Sequence, residues 1–234
     1  MWHRLKFFSG YYVEKDRKLM GKLSLELLES NSTIKTKIRN ALLKETNKVL
    51  NRAANKSIRP IRNLVRNTLF DQPEVISLSG GQLAWEFGLP DGRRSIEDII
   101  DYWVNNIIVS KKKATASGGQ ISAGFTISMI RSDFKDVFSL GQSSVITDKG
   151  QELPWLEWLL TFGDRAIIRE YSVKLSNSPR SRSGRAIMIK DTRARWNIPV
   201  QFSGTLNDNF TTRALESIED DIMSIIEKNL RSLV

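Results

Sequence analysis

The side chains that could do chemistry in this chain are carboxylates. It contains no cysteine and one histidine, His3. Cysteine nucleophiles, iron-sulfur clusters, thiolate metal sites and disulfide scaffolds are therefore excluded, and a histidine triad or multi-histidine metal site has no material. What remains is magnesium-dependent hydrolysis on carboxylates such as Glu86, Asp91 and Glu97. A second acidic group, Glu97, Asp98 and Asp101, falls at helical spacing, where residues four apart share a face. A plainer role fits the same acids. Ser95 and Asp98 have capping-box spacing at the start of SIEDIIDYWVNNIIV, and Glu97 and Asp98 there compensate the positive helix end. Asp133 and Asp136 lack the acidic and lysine companions a nuclease needs. Gly80-Gly81 has neither phosphate-loop spacing around it and reads as a turn. The expectation is a non-enzymatic protein with no metal and no cofactor.

The net charge points the same way. With 36 Lys+Arg against 26 Asp+Glu, the chain carries +10, and such a field attracts polyanions or acidic partners. The cations are concentrated. From Ser32 to Phe70, apolar residues recur at three- and four-residue steps, an amphipathic helical pattern capped by Asn31 or Ser32 and expected to break or kink at Pro60. Its polar face holds ten cations, Lys35, Lys37, Arg39, Lys44, Lys48, Arg52, Lys56, Arg59, Arg62 and Arg66, against Glu45. Lys44, Lys48, Arg52, Lys56 and Arg59 are candidates to face a DNA channel or a neighbouring subunit. A solvated helix face accounts for the same pattern.

The remaining elements must position these groups. The mixed aromatic segment 1–30, containing the alternating LSLEL, reads as an N-terminal arm. QLAWEFG alternates Leu83, Trp85 and Phe87 and reads as a strand. KKKATASGGQ reads as an exposed flexible loop, ISAGFTISMIR as a strand, and DFKDVFSL as a short helix or turn. LPWLEWLLTFG is a helix ending at Gly163, with two tryptophans destined for burial. AIIREYSVKL and RAIMIK form a β-hairpin around SNSPRSRSG, a long basic tip with Arg180, Arg182 and Arg185 as candidate inter-subunit contacts. The last amphipathic segment, from Thr211, is acidic on its outer face. Glu216, Glu219, Asp220 and Asp221 form its candidate interface, since one basic and one acidic helix permit head-to-tail association. The apolar runs WLEWLL and IIDYWVNNIIV are shorter than the ~20 residues a membrane helix needs. The start has no signal-peptide pattern, so a cytoplasmic site of synthesis and no membrane partner are expected.

The ordered set resembles the tail-completion, or neck, proteins of tailed bacteriophages. It comprises the basic helix, the break, the segment Gly80 to Gly88, the central helix, LPWLEWLLTFG, the hairpin with SRSGRAIM, and WNIPVQFSGTLNDNFTTRAL before a terminal helix. The run from Pro154 to Ala214 carries most of the resemblance. It implies an α+β fold in which helices pack on a small antiparallel sheet with a long protruding hairpin. The domain would span 31–234, with an inserted segment at about 110–142. It also implies a virion structural protein at the head-to-tail junction, assembled as a ring, commonly sixfold, around the DNA channel. Neighbouring connector, portal or tail proteins would be its partners. The alternative is a sequence-independent nucleic-acid-binding protein using helix 32–70.

Overall fold

The computed structural model describes residues 29–129 and 133–233, so the N-terminal arm before Glu29 and its LSLEL segment lie outside the described residues. The fold is α+β: small two-stranded sheets accompany a larger set of helices. The described residues form two compact units, one of 29–48 with 113–123 and one of 49–112 with 124–129 and 133–233.

In the first unit, the N-terminal half of α1 (Asn31–Phe70) lies with the distal part of a hairpin, β1 (Ile108–Ser117) and β2 (Gln120–Ser128). Ser30, not Asn31 or Ser32, caps α1: its Oγ accepts from the Thr33 amide at 3.2 Å. The Asn47 carboxamide oxygen accepts from the Ala114 amide at 3.1 Å, fixing the hairpin on this helix. KKKATASGGQ is thus strand and tight turn, not a flexible loop. Gly118 and Gly119, with φ of +56° and +81°, supply the turn, and Ala114 is buried while Lys112 and Lys113 face outward.

The second unit holds the core. The rest of α1 continues through Pro60 without a break. A proline in a helix interior costs about 3 kcal/mol. Here the buried stripe Ala53, Ala54, Ser57, Ile61, Val65 and Leu69 spans it, and full burial of an aliphatic side chain contributes about 1.5–3 kcal/mol. Tertiary packing therefore overrides the helix breaker, and Pro60 itself sits on the exposed side.

Next come α2 (Pro73–Leu78), α3 (Gln82–Phe87) and α4 (Gly92–Asn105). QLAWEF is helical, not a strand. It buries Leu83, Ala84 and Phe87, a helical rather than alternating set, and Gly88 closes it at φ +68°. Asp91 caps α4 by accepting from the Arg94 amide at 3.0 Å, so the helix starts before the Ser95–Asp98 pair expected to cap it.

A short α5 (Lys135–Phe138), the β-ribbon β3 (Val145–Ile146) with β4 (Glu152–Leu153), and α6 (Trp155–Thr161) follow. The antiparallel hairpin β5 (Ile168–Leu175) and β6 (Ala186–Trp196) comes next. The chain then closes with α7 (Phe210–Ser217) and α8 (Glu219–Arg231), one expected helix divided at Ile218. Asn209 caps α7 through a reciprocal box with Thr212. Trp103, Trp155 and Phe210 are fully buried at the centre, with Trp103 and Phe210 rings 5.9 Å apart.

Candidate functional site

The carboxylates that could have served hydrolysis all have partners. Glu86 accepts from the Trp196 indole at 2.8 Å and from Gln82 at 2.6 Å. Asp91 is the α4 cap, and Glu97 pairs with Arg93 at 2.9 Å. Asp101 pairs with Arg66 at 2.9 Å and Asp98 accepts from Gln142 at 3.4 Å. Among the described residues, no group of three or more His, Cys, Asp or Glu is placed to hold a metal ion. Each of these acids has a hydrogen-bond or ion-pair partner.

Seven of the ten cations of α1 fall into two sets. Arg62 is drawn inward, donating to the carbonyls of Asn105 at 2.6 Å and Ile107 at 3.2 Å, and Arg66 combines its ion pair with a stacked position 4.6 Å from the Phe70 ring centre. These two fasten the helix. Lys44, Lys48, Arg52, Lys56 and Arg59 are exposed at steps of three and four along α1. Lys48 is 3.6 Å from Glu45 and Lys56 donates to Ser232 at 2.9 Å, both weak surface contacts that leave the positive stripe available.

The hairpin is a second basic surface. Residues 168–196 hold eight cations and two carboxylates, Glu170 and Asp191. Among the described residues, none of the eight makes an ion pair. A register break sits between Arg169 and Tyr171, with Glu170 at φ +62°.

The tip folds back toward α3 and β3. Ser183 Oγ donates to the Trp85 carbonyl at 3.2 Å, and Arg182 Nη1 donates to the Ile146 carbonyl at 3.3 Å. Arg180 and Arg185 are left exposed.

Between this hairpin, α3 and the β3–β4 turn runs an open groove of about 590 Å³. Its floor is apolar and aromatic, with Trp85, Trp158, Tyr171, Val173, Met188 and Trp196, and its rim carries Lys149, Arg180 and Arg182 beside Asp148 and Glu86. Of the two tryptophans expected to be buried in α6, Trp155 is in the core, whereas Trp158 is half-buried and lines the groove. Trp158 and Trp196 meet edge to face at 6.2 Å. Sequence reasoning found Arg180 and Arg182 but not the groove, whose walls come from positions 85–88, 147–158 and 168–196. No local pattern joins them.

Glu216, Glu219, Asp220 and Asp221 are all exposed at the α7–α8 corner. The last three occupy the first turn of α8, where acids compensate the helix dipole. None makes an ion pair among the described residues. Met223, 52% exposed, lies one turn further on.

The most deeply placed ionisable group is elsewhere. Glu74, 2% exposed, pairs with Arg213 at 2.5 Å, and Arg213 also holds Asp208 at 2.8 Å. Burial pushes the Glu74 carboxyl above its ordinary range. A backbone hydrogen bond and Arg213 oppose the shift without cancelling it. The pair joins α2 to α7, with the carboxylate buried and the guanidinium reaching the surface. No described helix is long and apolar enough to cross a membrane. Comparison with protein-family models, with curated proteins and with solved structures found no match to this chain.

Proposed function

We propose that this chain is a non-enzymatic structural protein of a phage neck, at the head-to-tail junction or at tail completion, which assembles as a ring around the DNA channel, with sixfold symmetry. The ordered resemblance from Pro154 to Ala214 supports the class. The observation that carries the assembly reading is charge separation: an unpaired basic hairpin and an exposed basic helix stripe on one hand, an unpaired acidic corner on the other. Complementary patches on one chain favour heterologous contacts between identical copies, and such contacts form rings when their rotation closes. The occupied carboxylates agree with a non-catalytic role. Mass measurement of the purified chain, together with its detection in purified virions, tests the reading. A strict monomer absent from particles contradicts it.

Sequence-independent nucleic-acid binding is the second reading, favoured by the exposed row Lys44, Lys48, Arg52, Lys56 and Arg59. Duplex binding that weakens steeply with salt, and falls on charge reversal at Lys44, Lys48 and Arg52, would support it. Binding by the isolated chain without any self-association would favour it over the ring.

A further inference from the structure

The groove beside the hairpin has the features of a docking site for a protein segment. Its lining mixes Trp85, Trp158, Tyr171 and Trp196 with Leu153, Val173 and Met188, and it suits a methionine because a thioether packs favourably against aromatic rings. Tyr171 and Met188, 39% and 36% exposed, present apolar surface to solvent within it. Its lining is basic on balance: Glu86 is turned to the Trp196 indole, which leaves Lys149, Arg180 and Arg182 against Asp148.

The complementary shape is on the same chain. The α7–α8 corner places four acids within six residues, 216–221, and Met223 beside them. On α8, Asp220, Met223 and Glu227 fall at i, i+3 and i+7, one stripe with an apolar centre and acidic ends. From Lys44 to Arg59 the α1 stripe exposes no large apolar side chain, and the smaller groove of about 320 Å³ beside Ile38, Leu42 and Ile121 lacks the aromatic rings that a methionine sulfur favours.

We propose that the groove of one copy receives the α7–α8 corner of a second copy, Met223 entering the aromatic floor and the acids meeting Lys149 and Arg180. The contact is heterologous, since groove and corner are different surfaces, and so each copy keeps one of each free to continue the assembly. This rests on the ring reading and names the surfaces that build it.

Charge exchange tests the pairing. Two full-length variants are compared with the wild type by sedimentation velocity, K149E/R180E in the groove and E216K/D220K at the corner. All four side chains are exposed, and thermal unfolding shows whether each variant stays folded. Each variant alone is expected to associate about tenfold or more weakly. Mixing the two, or combining all four changes in one chain, is expected to recover assembly, because the introduced carboxylates then meet the introduced lysines at the same contact. A wild type that assembles while either variant assembles equally well overturns the pairing and leaves the ring reading standing. So does failure of both the mixture and the combined chain to recover. A wild type that stays monomeric overturns both. Binding of a single-stranded oligonucleotide that is lost in K149E/R180E with assembly intact would assign the groove to nucleic acid and also overturn the pairing.

Discussion

The indole Nε1 of Trp196 donates to Oε2 of Glu86 at 2.8 Å, tying the end of β6 to α3 across 110 positions of sequence. Trp196 is 6% exposed and packs against Phe87 and Trp158, so the hydrogen bond sits where the hairpin joins the core. Removing the acceptor leaves a buried N–H unsatisfied. Glu86→Ala is expected to cost about 1.5–3 kcal/mol, and Glu86→Gln, which keeps a carbonyl oxygen, less. Urea unfolding followed by tryptophan fluorescence measures both. Equal effects of the two substitutions would show that the hydrogen bond is not what holds the joint.

The tip of the hairpin depends on a glycine. Gly88 has φ +68°, and a Cβ there would stand 2.9 Å from Arg182 Nη2. Gly88→Ala therefore meets both left-handed backbone strain and a guanidinium, for an expected loss of about 1–2 kcal/mol. Arg182→Ala removes only the contact with the Ile146 carbonyl and is expected to leave global stability nearly unchanged. Hydrogen exchange separates the two: Arg182→Ala should speed exchange at 176–185 and not in α1 or α4.

Burial of Glu74 sets the sign of a pH dependence in the fold. Its folded-state pKa lies above the ordinary 4.5 because burial disfavours the carboxylate. The native state then holds this proton more tightly than the unfolded chain does. The contribution is fully present below the ordinary carboxylate range and is lost as pH rises through the raised value. The stability of wild type minus that of Glu74→Gln is accordingly expected to fall as pH rises from about 4, then level off. Denaturation midpoints across that range measure it. A difference that grows with pH would mean that the Arg213 ion pair outweighs burial.

Much of the fold was legible because its periodicities are long or strongly punctuated. The stripe of α4, the tryptophan helix and the β5–β6 hairpin are all local patterns. Three segments misled local reasoning for identifiable reasons. Pro60 is outvoted by buried neighbours on either side. Leu83, Trp85 and Phe87 alternate, yet Ala84, a residue small enough to pack closely, shares the buried face instead of Trp85. The lysines of KKKATASGGQ look like a loop until Asn47, 67 positions away, engages the Ala114 amide. The candidate surfaces follow the same division. Exposed charge on Lys44 to Arg59, Arg180 and the α7–α8 corner is readable from composition, whereas a groove assembled from Trp85, Lys149, Trp158 and Tyr171 exists only after folding.

Self-association is the central claim, and native mass spectrometry of the intact chain at low and physiological ionic strength measures it most directly. The account predicts a closed oligomer of defined stoichiometry, six copies, that loosens as salt screens its charged contacts. A single monomeric species at every concentration and salt would contradict it.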